Sequence, residues 1–143
     1  MLFTQTIFTS IMQQGHQVAE CEKASLFIVD DDRRHLWSVN DADLRIPWGL
    51  GFAGAAATTG ETVHVEHAPT DARFFPAVDA RTGVATRNII AMPVKSTDGI
   101  VVAVAEFRNK NHGRAFTPTD EKLLRMLCQN VAVFLDSMKR KSD

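Results

Sequence analysis

The sequence predicts an α+β fold built on an antiparallel sheet, and three observations carry that prediction. An amphipathic segment stands near each end of the chain, short alternating segments lie between them, and two pairs of these are joined by tight polar turns. Phe3, Ile7, Phe8, Ile11 and Met12 recur at helical spacing, which predicts a helix over residues 3–15 that ends near Gly15. ASLFIVD (24–30) reads as a strand, DDDRR (30–34) as a polar turn and residues 35–39 as the returning strand. A short strand over 44–46 stops at Pro47, which has no ladder donor. The glycine-rich turn 49–54 opens a helix over 55–59, and Gly60 is placed to cap its C-terminus. TVHVE (62–66) alternates as a strand does, whereas residues 69–87 show no strong period and read as a loop with short helical pieces. Residues 88–95 and 100–108 form a hairpin about Thr97-Asp98-Gly99. The last helix has explicit start chemistry, with Thr117 as cap, Pro118 at the first helical position and Asp120 near the positive end of the dipole. Its apolar stripe is Leu124, Leu127, Val131, Phe134, Leu135 and Met138, running to Lys139. The two terminal helices are expected to lie side by side on one face of the sheet.

A chain of 143 residues forms one domain, divided into an N-terminal helix (1–16), a sheet and pocket region (20–116) and a C-terminal helix (117–140). Hydrophobic content of 45% against 23% charge is globular composition. A net charge of −1 lacks the basic excess of a nucleic-acid or membrane-surface binder, so neither partner is expected. Cys21 and Cys128 are expected to be free thiols in a reducing compartment. No apolar run reaches the ~20 residues of a membrane span, and the start MLFTQTIFTSIMQQ lacks the basic flank and cleavage site of a signal peptide. The expectation is a soluble, cytoplasmic domain without membrane insertion.

Alternation along the last strand puts Val101, Ala103, Ala105 and Phe107 on one face and Val102, Val104, Glu106 and Arg108 on the other. Glu106 thus lies on a face that looks buried and needs a partner. That partner is either Arg108 or another base, or a hydrogen-bond donor on a ligand, such as a nucleobase amine or imide. FFPAVDARTGVATRN (74–88) gathers Asp79, Thr82, Thr86 and Asn88, residues that satisfy turns and also suit a small polar ligand, with Phe74 or Phe75 as a stacking surface. The glycine turn lets backbone amides approach an anion, but no Lys follows it, so a Walker-type nucleotide site is not expected. His64 and His67 fall on opposite faces of a strand, so no metal site is expected. Neither cysteine has an adjacent histidine or a CxxC partner, so no catalytic residue is expected.

Taken in order, Ala24-Ser25-Leu26-Phe27, Arg45-Ile46-Pro47, Gly51-Phe52-Ala53-Gly54, Thr59-Gly60, Phe74-Phe75, Asp79, Thr82-Gly83, Thr86-Arg87-Asn88-Ile89, Met92-Pro93-Val94 and Val104-Ala105-Glu106 resemble a GAF domain. The resemblance is to the kind found in tandem at the N-terminal side of cyclic-nucleotide phosphodiesterases. Asn109, Lys110, Phe116, Asp120 and Glu121 match that family's NKFDE motif at its spacing. The resemblance implies a six-stranded antiparallel sheet with the terminal helices on one face and a ligand pocket on the other. By the same resemblance Ser25 faces the base, Asn40 or Asp41 lies near the purine edge, and Phe52 and Ala53 offer backbone amides. Phe75, Asp79, Thr82 and Thr86 line the roof against ribose or cyclic phosphate, and Glu106 closes the floor. The NKFDE residues are implied to lock the fold, Lys110 pairing with Asp120 while Phe116 fills the core. Phe75 stands where relatives often carry tyrosine, and this chain has no Tyr.

The resemblance implies a regulatory module, not an enzyme. It would bind a cyclic nucleotide, cAMP in preference to cGMP, and would act through a homodimer of terminal helices on a downstream phosphodiesterase catalytic domain. The alternative is a dimerisation-only module without nucleotide. Free-methionine-sulfoxide reductases and tetrapyrrole binders resemble the same fold, but they need pocket cysteines that Cys21 and Cys128 do not supply.

Overall fold

The computed structural model describes residues 2–39, 41 and 43–142, with the side chains of residues 2–5 and 139–142 left aside. Its elements run α1 (Leu2–Ala19), β1 (Cys21–Val29), β2 (His35–Ser38), β3 (Arg45–Pro47), α2 (Gly51–Thr59), β4 (Val63–Val65), α3 (Pro76–Thr82), β5 (Ile89–Lys95), β6 (Val101–Lys110) and α4 (Pro118–Ser142). The strands form one antiparallel six-stranded sheet in the order β3-β2-β1-β6-β5-β4. The two longest strands, β1 and β6, are central in this order and covered on both faces.

The faces carry separate cores. On one, Phe8 and Met12 of α1 and Leu124, Cys128 and Val131 of α4 pack on Leu26, Ile90, Ala103, Ala105 and Phe107. Phe8 and Phe134 meet edge to face at 5.4 Å and join the two helices. On the other face α2 and α3 cover Phe27, Ile46, Ile89 and Val104, with Ala53, Ala56 and Val78 facing inward. The alanine-rich α2 thus lies close against the sheet, and Gly60 closes it in the left-handed conformation, its N–H donating to Ala56 O at 2.9 Å.

Three expectations need correction. The first helix continues past Gly15 to Ala19. Gly15 is buried, and a Cβ there would lie 2.6 Å from Phe107 and 2.7 Å from Leu127. This glycine is the point where α1 crosses closest to the sheet and α4, not a stop signal. The second helix begins at Gly51, so Gly54 belongs to its interior and not to the turn. On β6, Val101 belongs to the α2 face and Val102 to the helical face, the reverse of the alternation. A register shift opposite Val94 and Lys95 explains it, because one extra residue flips the side-chain parity beyond the bulge.

Candidate functional site

The α2 N-terminus, α3 and the far half of β6 converge on a small cavity of about 20 Å³, bordered by Phe75, Asp79, Thr86, Glu106 and Arg108. Space of that size holds roughly one water. Its cover is aromatic: Phe52 and Phe74 lie 6.4 Å apart, and the Arg73 guanidinium sits 5.9 Å over Phe52. Two larger hollows, of about 340 and 430 Å³, are open grooves against α4 and do not gather the buried polar groups that distinguish this cavity.

The polar cluster is built by three elements. Asp79 on α3 accepts from the Thr86 amide at 2.8 Å and from the Thr86 hydroxyl at 2.7 Å, which closes the loop between α3 and β5 on itself. Arg108 on β6 is 1% exposed and donates through Nη1 to Thr86 Oγ1 at 3.3 Å and to Asp79 Oδ1 at 3.4 Å. The Thr82 hydroxyl receives Nη1 and Nη2 at 3.5 Å. Two residues back on the same face, Glu106 is buried at 4% exposure. Burial pushes its carboxyl up to about 7, offset in part by the charge of Arg108, with Asp79 pushing it further up and the Ala53 amide drawing it down. Arg108 therefore approaches Glu106 as one of the two expected kinds of partner, but its direct contacts go to Asp79, Thr82 and Thr86. As a site residue in its own right Arg108 was missed, and the signal was present: period two places it on the Glu106 face.

The remaining implied ligand residues separate into two groups. Phe52, Ala53, Phe75, Asp79, Thr86 and Glu106 border the cavity. Ser25 is buried directly opposite Glu106 in the β1–β6 pairing, and Thr82 backs the cluster through Arg108. Asp41 lies apart from the cavity and holds Arg81 of α3 at 2.6 and 3.0 Å. That hydrogen bond, with the charge of Arg81, holds the Asp41 carboxyl below its ordinary range. Asp41 thus reaches the roof helix from outside. Asn40 lies outside the described residues.

Beyond the cavity the strand end is tied to the helices. Asn109 has a left-handed backbone, φ 65°, which turns its amide toward the loop before β5. Its Oδ1 accepts from the Arg87 amide at 2.7 Å, and its Nδ2 donates to Glu22 Oε1 and Ala85 O, both at 2.8 Å. Lys110 Nζ is buried between Ala19 O at 2.7 Å and the Asp120 carboxylate at 3.0 Å. Asp120 in turn forms a reciprocal cap with Thr117: its Oδ2 accepts from the Thr117 amide at 2.9 Å, and its amide donates to Thr117 Oγ1 at 3.1 Å. Burial raises the Asp120 carboxyl, but the bonds from Thr117 and Lys110 outweigh it and leave it below the ordinary value. Phe116 is buried in the helical-face core. Glu121 stands aside from this group and lies 3.8 Å from Arg125 on the helix surface.

Cys21 and Cys128 are both buried in the helical-face core, where desolvation pushes their thiols up to about 11 and about 12. Among the described residues one cluster has the atoms for a metal: Asp30, Asp32 and His35 come within 4.8 Å of one another at the β1–β2 turn. One of its carboxylate oxygens, Asp32 Oδ1, already accepts from the Arg34 amide at 3.0 Å. No described helix is long and apolar enough to cross a membrane.

Comparison with known proteins agrees with this architecture. The chain is 40% identical over 90 residues to the dual 3',5'-cyclic-AMP and -GMP phosphodiesterase 11A of Takifugu rubripes, covering 62% of this chain and 10% of that protein. It is 30% identical over 132 residues to the probable 3',5'-cyclic phosphodiesterase pde-5 of Caenorhabditis elegans, covering 80% of this chain and 18% of that one. The chain therefore spans less than a fifth of the length of these relatives. In structure it resembles the GAF domain of an Acinetobacter phosphoenolpyruvate-protein phosphotransferase, with a TM-score of 0.77 at 16% identity over 92% of this chain and 81% of that one. The GAF domain profile matches residues 4–135, and the chain belongs to the GAF domain family.

Proposed function

We propose that this domain is the regulatory, non-catalytic part of a cytoplasmic cyclic-nucleotide phosphodiesterase and binds a cyclic nucleotide, cAMP in preference to cGMP, in the cavity under α3. The observation that carries the reading is the convergence of buried Glu106, Thr86 and Arg108 with the half-buried Asp79 beneath an aromatic cover, in a chain related to phosphodiesterases. Buried polar groups are costly unless they are partnered, and a base, ribose and cyclic phosphate offer the partners. Phe75 and Phe74 stack the base, Glu106 and Ser25 meet its edge, and Asp79, Thr82 and Thr86 meet the ribose and phosphate. Because the closed cavity is far smaller than a nucleotide, entry requires α3 to swing outward and close again on the ligand. Lys110 and Asp120 then pass the state of β6 to α4, which pairs with a second copy and sets the state of the downstream catalytic domain.

Titration calorimetry with cAMP and cGMP, after extraction of co-purified nucleotide, tests the reading. Thr86→Ala and Glu106→Ala are each expected to weaken binding at least roughly tenfold, and the absence of heat with either nucleotide refutes nucleotide sensing. The tightness of the closed cavity favours a second reading, in which the domain pairs through its helices without nucleotide. In that case the dimer forms while calorimetry stays silent.

A further inference from the structure

Among the described residues the Arg108 guanidinium is a buried charged group with an unsatisfied donor. It is 1% exposed, borders the cavity, and its Nε has no acceptor. The contacts its other nitrogens make are long, from 3.3 Å to Thr86 Oγ1 to 3.5 Å to Thr82 Oγ1 and Val84 O. A charge-assisted hydrogen bond from arginine to an anion is ordinarily about 2.7–2.9 Å. A guanidinium that only completed the core would be expected to close such bonds, since an unsatisfied N–H donor in a dry site is costly.

Its one carboxylate contact among the described residues, Asp79, is better bound elsewhere. Asp79 holds the Thr86 amide and hydroxyl at 2.8 and 2.7 Å and stands 3.4 Å from Arg108. Asp79 also sits on α3, the element that must move for anything to enter, while Arg108 is fixed on the central strand β6. Opening α3 carries the carboxylate away and leaves the guanidinium facing the opened cavity. We infer that Arg108 is the anion-binding group of this site, taking the phosphodiester oxygens of the ligand through Nε and Nη1, while in the closed form Asp79 stands against Nη1 alone. The inference rests on the nucleotide reading for the identity of the anion, but not for the presence of an anion site. Charge balance supports it: burial pushes Glu106 up to about 7, so near neutral pH the floor of the cavity does not carry a full second negative charge against the phosphate.

The test is ¹H–¹⁵N NMR of the whole chain, following the Arg108 Nε–H signal, assigned through the bonds of its own side chain, during titration with cAMP, adenosine and dimethyl phosphate. It is combined with calorimetry of cAMP against adenosine on wild type and Arg108→Gln. The expected result is a downfield shift with cAMP and with dimethyl phosphate but not with adenosine. The wild type should also prefer cAMP over adenosine by roughly tenfold to a hundredfold, a preference that collapses toward one in Arg108→Gln. If cAMP binds while the Nε–H signal stays still and the preference survives in the variant, the Arg108 assignment is overturned and the nucleotide reading stands. If neither nucleotide binds but dimethyl phosphate moves the signal, the anion site stands and the nucleotide reading falls. If no probe moves the signal and calorimetry shows no binding, both fall. The NMR arm uses only wild-type protein, so its outcome does not depend on the variant folding.

Discussion

Glu106 is a carboxyl held where its charged form is poorly solvated, and this has a measurable consequence. A carboxyl raised in the folded state from an ordinary 4.5 to about 7 binds its proton more tightly folded than unfolded. Its contribution to stability is then fully present below about pH 4.5 and is lost as pH rises through about 7, amounting to about 3 kcal/mol. The carboxylates held below their ordinary range, Asp41, Asp71 and Asp120, act in the opposite sense and at lower pH. Glu106→Gln should therefore remove the fall in stability between pH 5 and 7.5 and make the variant the more stable form at pH 8, as read by urea unfolding at each pH. An unchanged slope would show that Glu106 ionises freely in the fold. Lys110 and Asp120 pose the complementary case of a buried pair with side chains only 9% and 10% exposed. Asp120→Asn leaves the ammonium uncompensated and should cost about 3 kcal/mol, while the double variant Lys110→Met/Asp120→Asn should recover part of that loss. Single and double variants that lose stability additively would mean that the pair is not coupled. The Thr117–Asp120 helix start was legible because its chemistry is local, whereas the pairing of Lys110 with Asp120 was implied by the resemblance to GAF domains. The engagement of Arg108 with Asp79 was not legible, because a separation of 29 residues closes only when α3 folds back over the sheet.

Among the elements, α1 shows how tertiary packing overrides a local signal. In an isolated helix Gly→Ala is favourable by up to about 1 kcal/mol. Here the added methyl would meet Phe107 and Leu127 well inside contact distance, and overpacking of that kind costs roughly 1–3 kcal/mol. Gly15→Ala is thus expected to lower stability by about 1–2 kcal/mol in chemical denaturation, and a stabilised variant would contradict the close crossing of α1, β6 and α4. Reading Gly15 as a stop applied a propensity rule at a position decided by packing against residues about a hundred places along the chain. The swap of Val101 and Val102 between faces has a similar origin. Alternation within β6 is visible in the residues themselves, but a bulge is a property of two paired strands, and nothing in the order of residues 100–102 encodes the register of Val94 and Lys95. Elements with their own chemistry, such as the Thr117–Asp120 cap and Gly60, stood where sequence placed them. So did the hairpin of β5 and β6, because a tight turn leaves few alternatives.

At the scale of the whole molecule the question is how a cavity on one face speaks to helices on the other. The path is short and buried: Arg108 faces the cavity, Asn109 brackets the loop that ends the roof, and Lys110 grips the end of α1 and the start of α4. The outer face of α4 exposes Leu123, Met126 and Val133, which with Asn130 fall at spacings of three and four residues, the periodicity of a two-helix seam. We expect Met126→Glu/Val133→Glu to prevent pairing of two copies through this seam in sedimentation analysis, without touching the cavity some distance away across the sheet. Linkage then makes the decisive measurement reciprocal. If nucleotide shifts the dimerisation constant by some factor, removing the dimer must shift nucleotide affinity by the same factor, because both are one coupling free energy seen from two sites. A sensor of this build is expected to show a factor of about 5 to 150. Unaltered nucleotide affinity in the monomeric variant, together with a dimer indifferent to nucleotide, would mean that the cavity and the helices are joined by structure but not by signal. Replacing Lys110 by Met in the dimer then separates the two cases, since a conducting brace loses the factor when its ammonium is removed, whereas an inert one has no factor to lose.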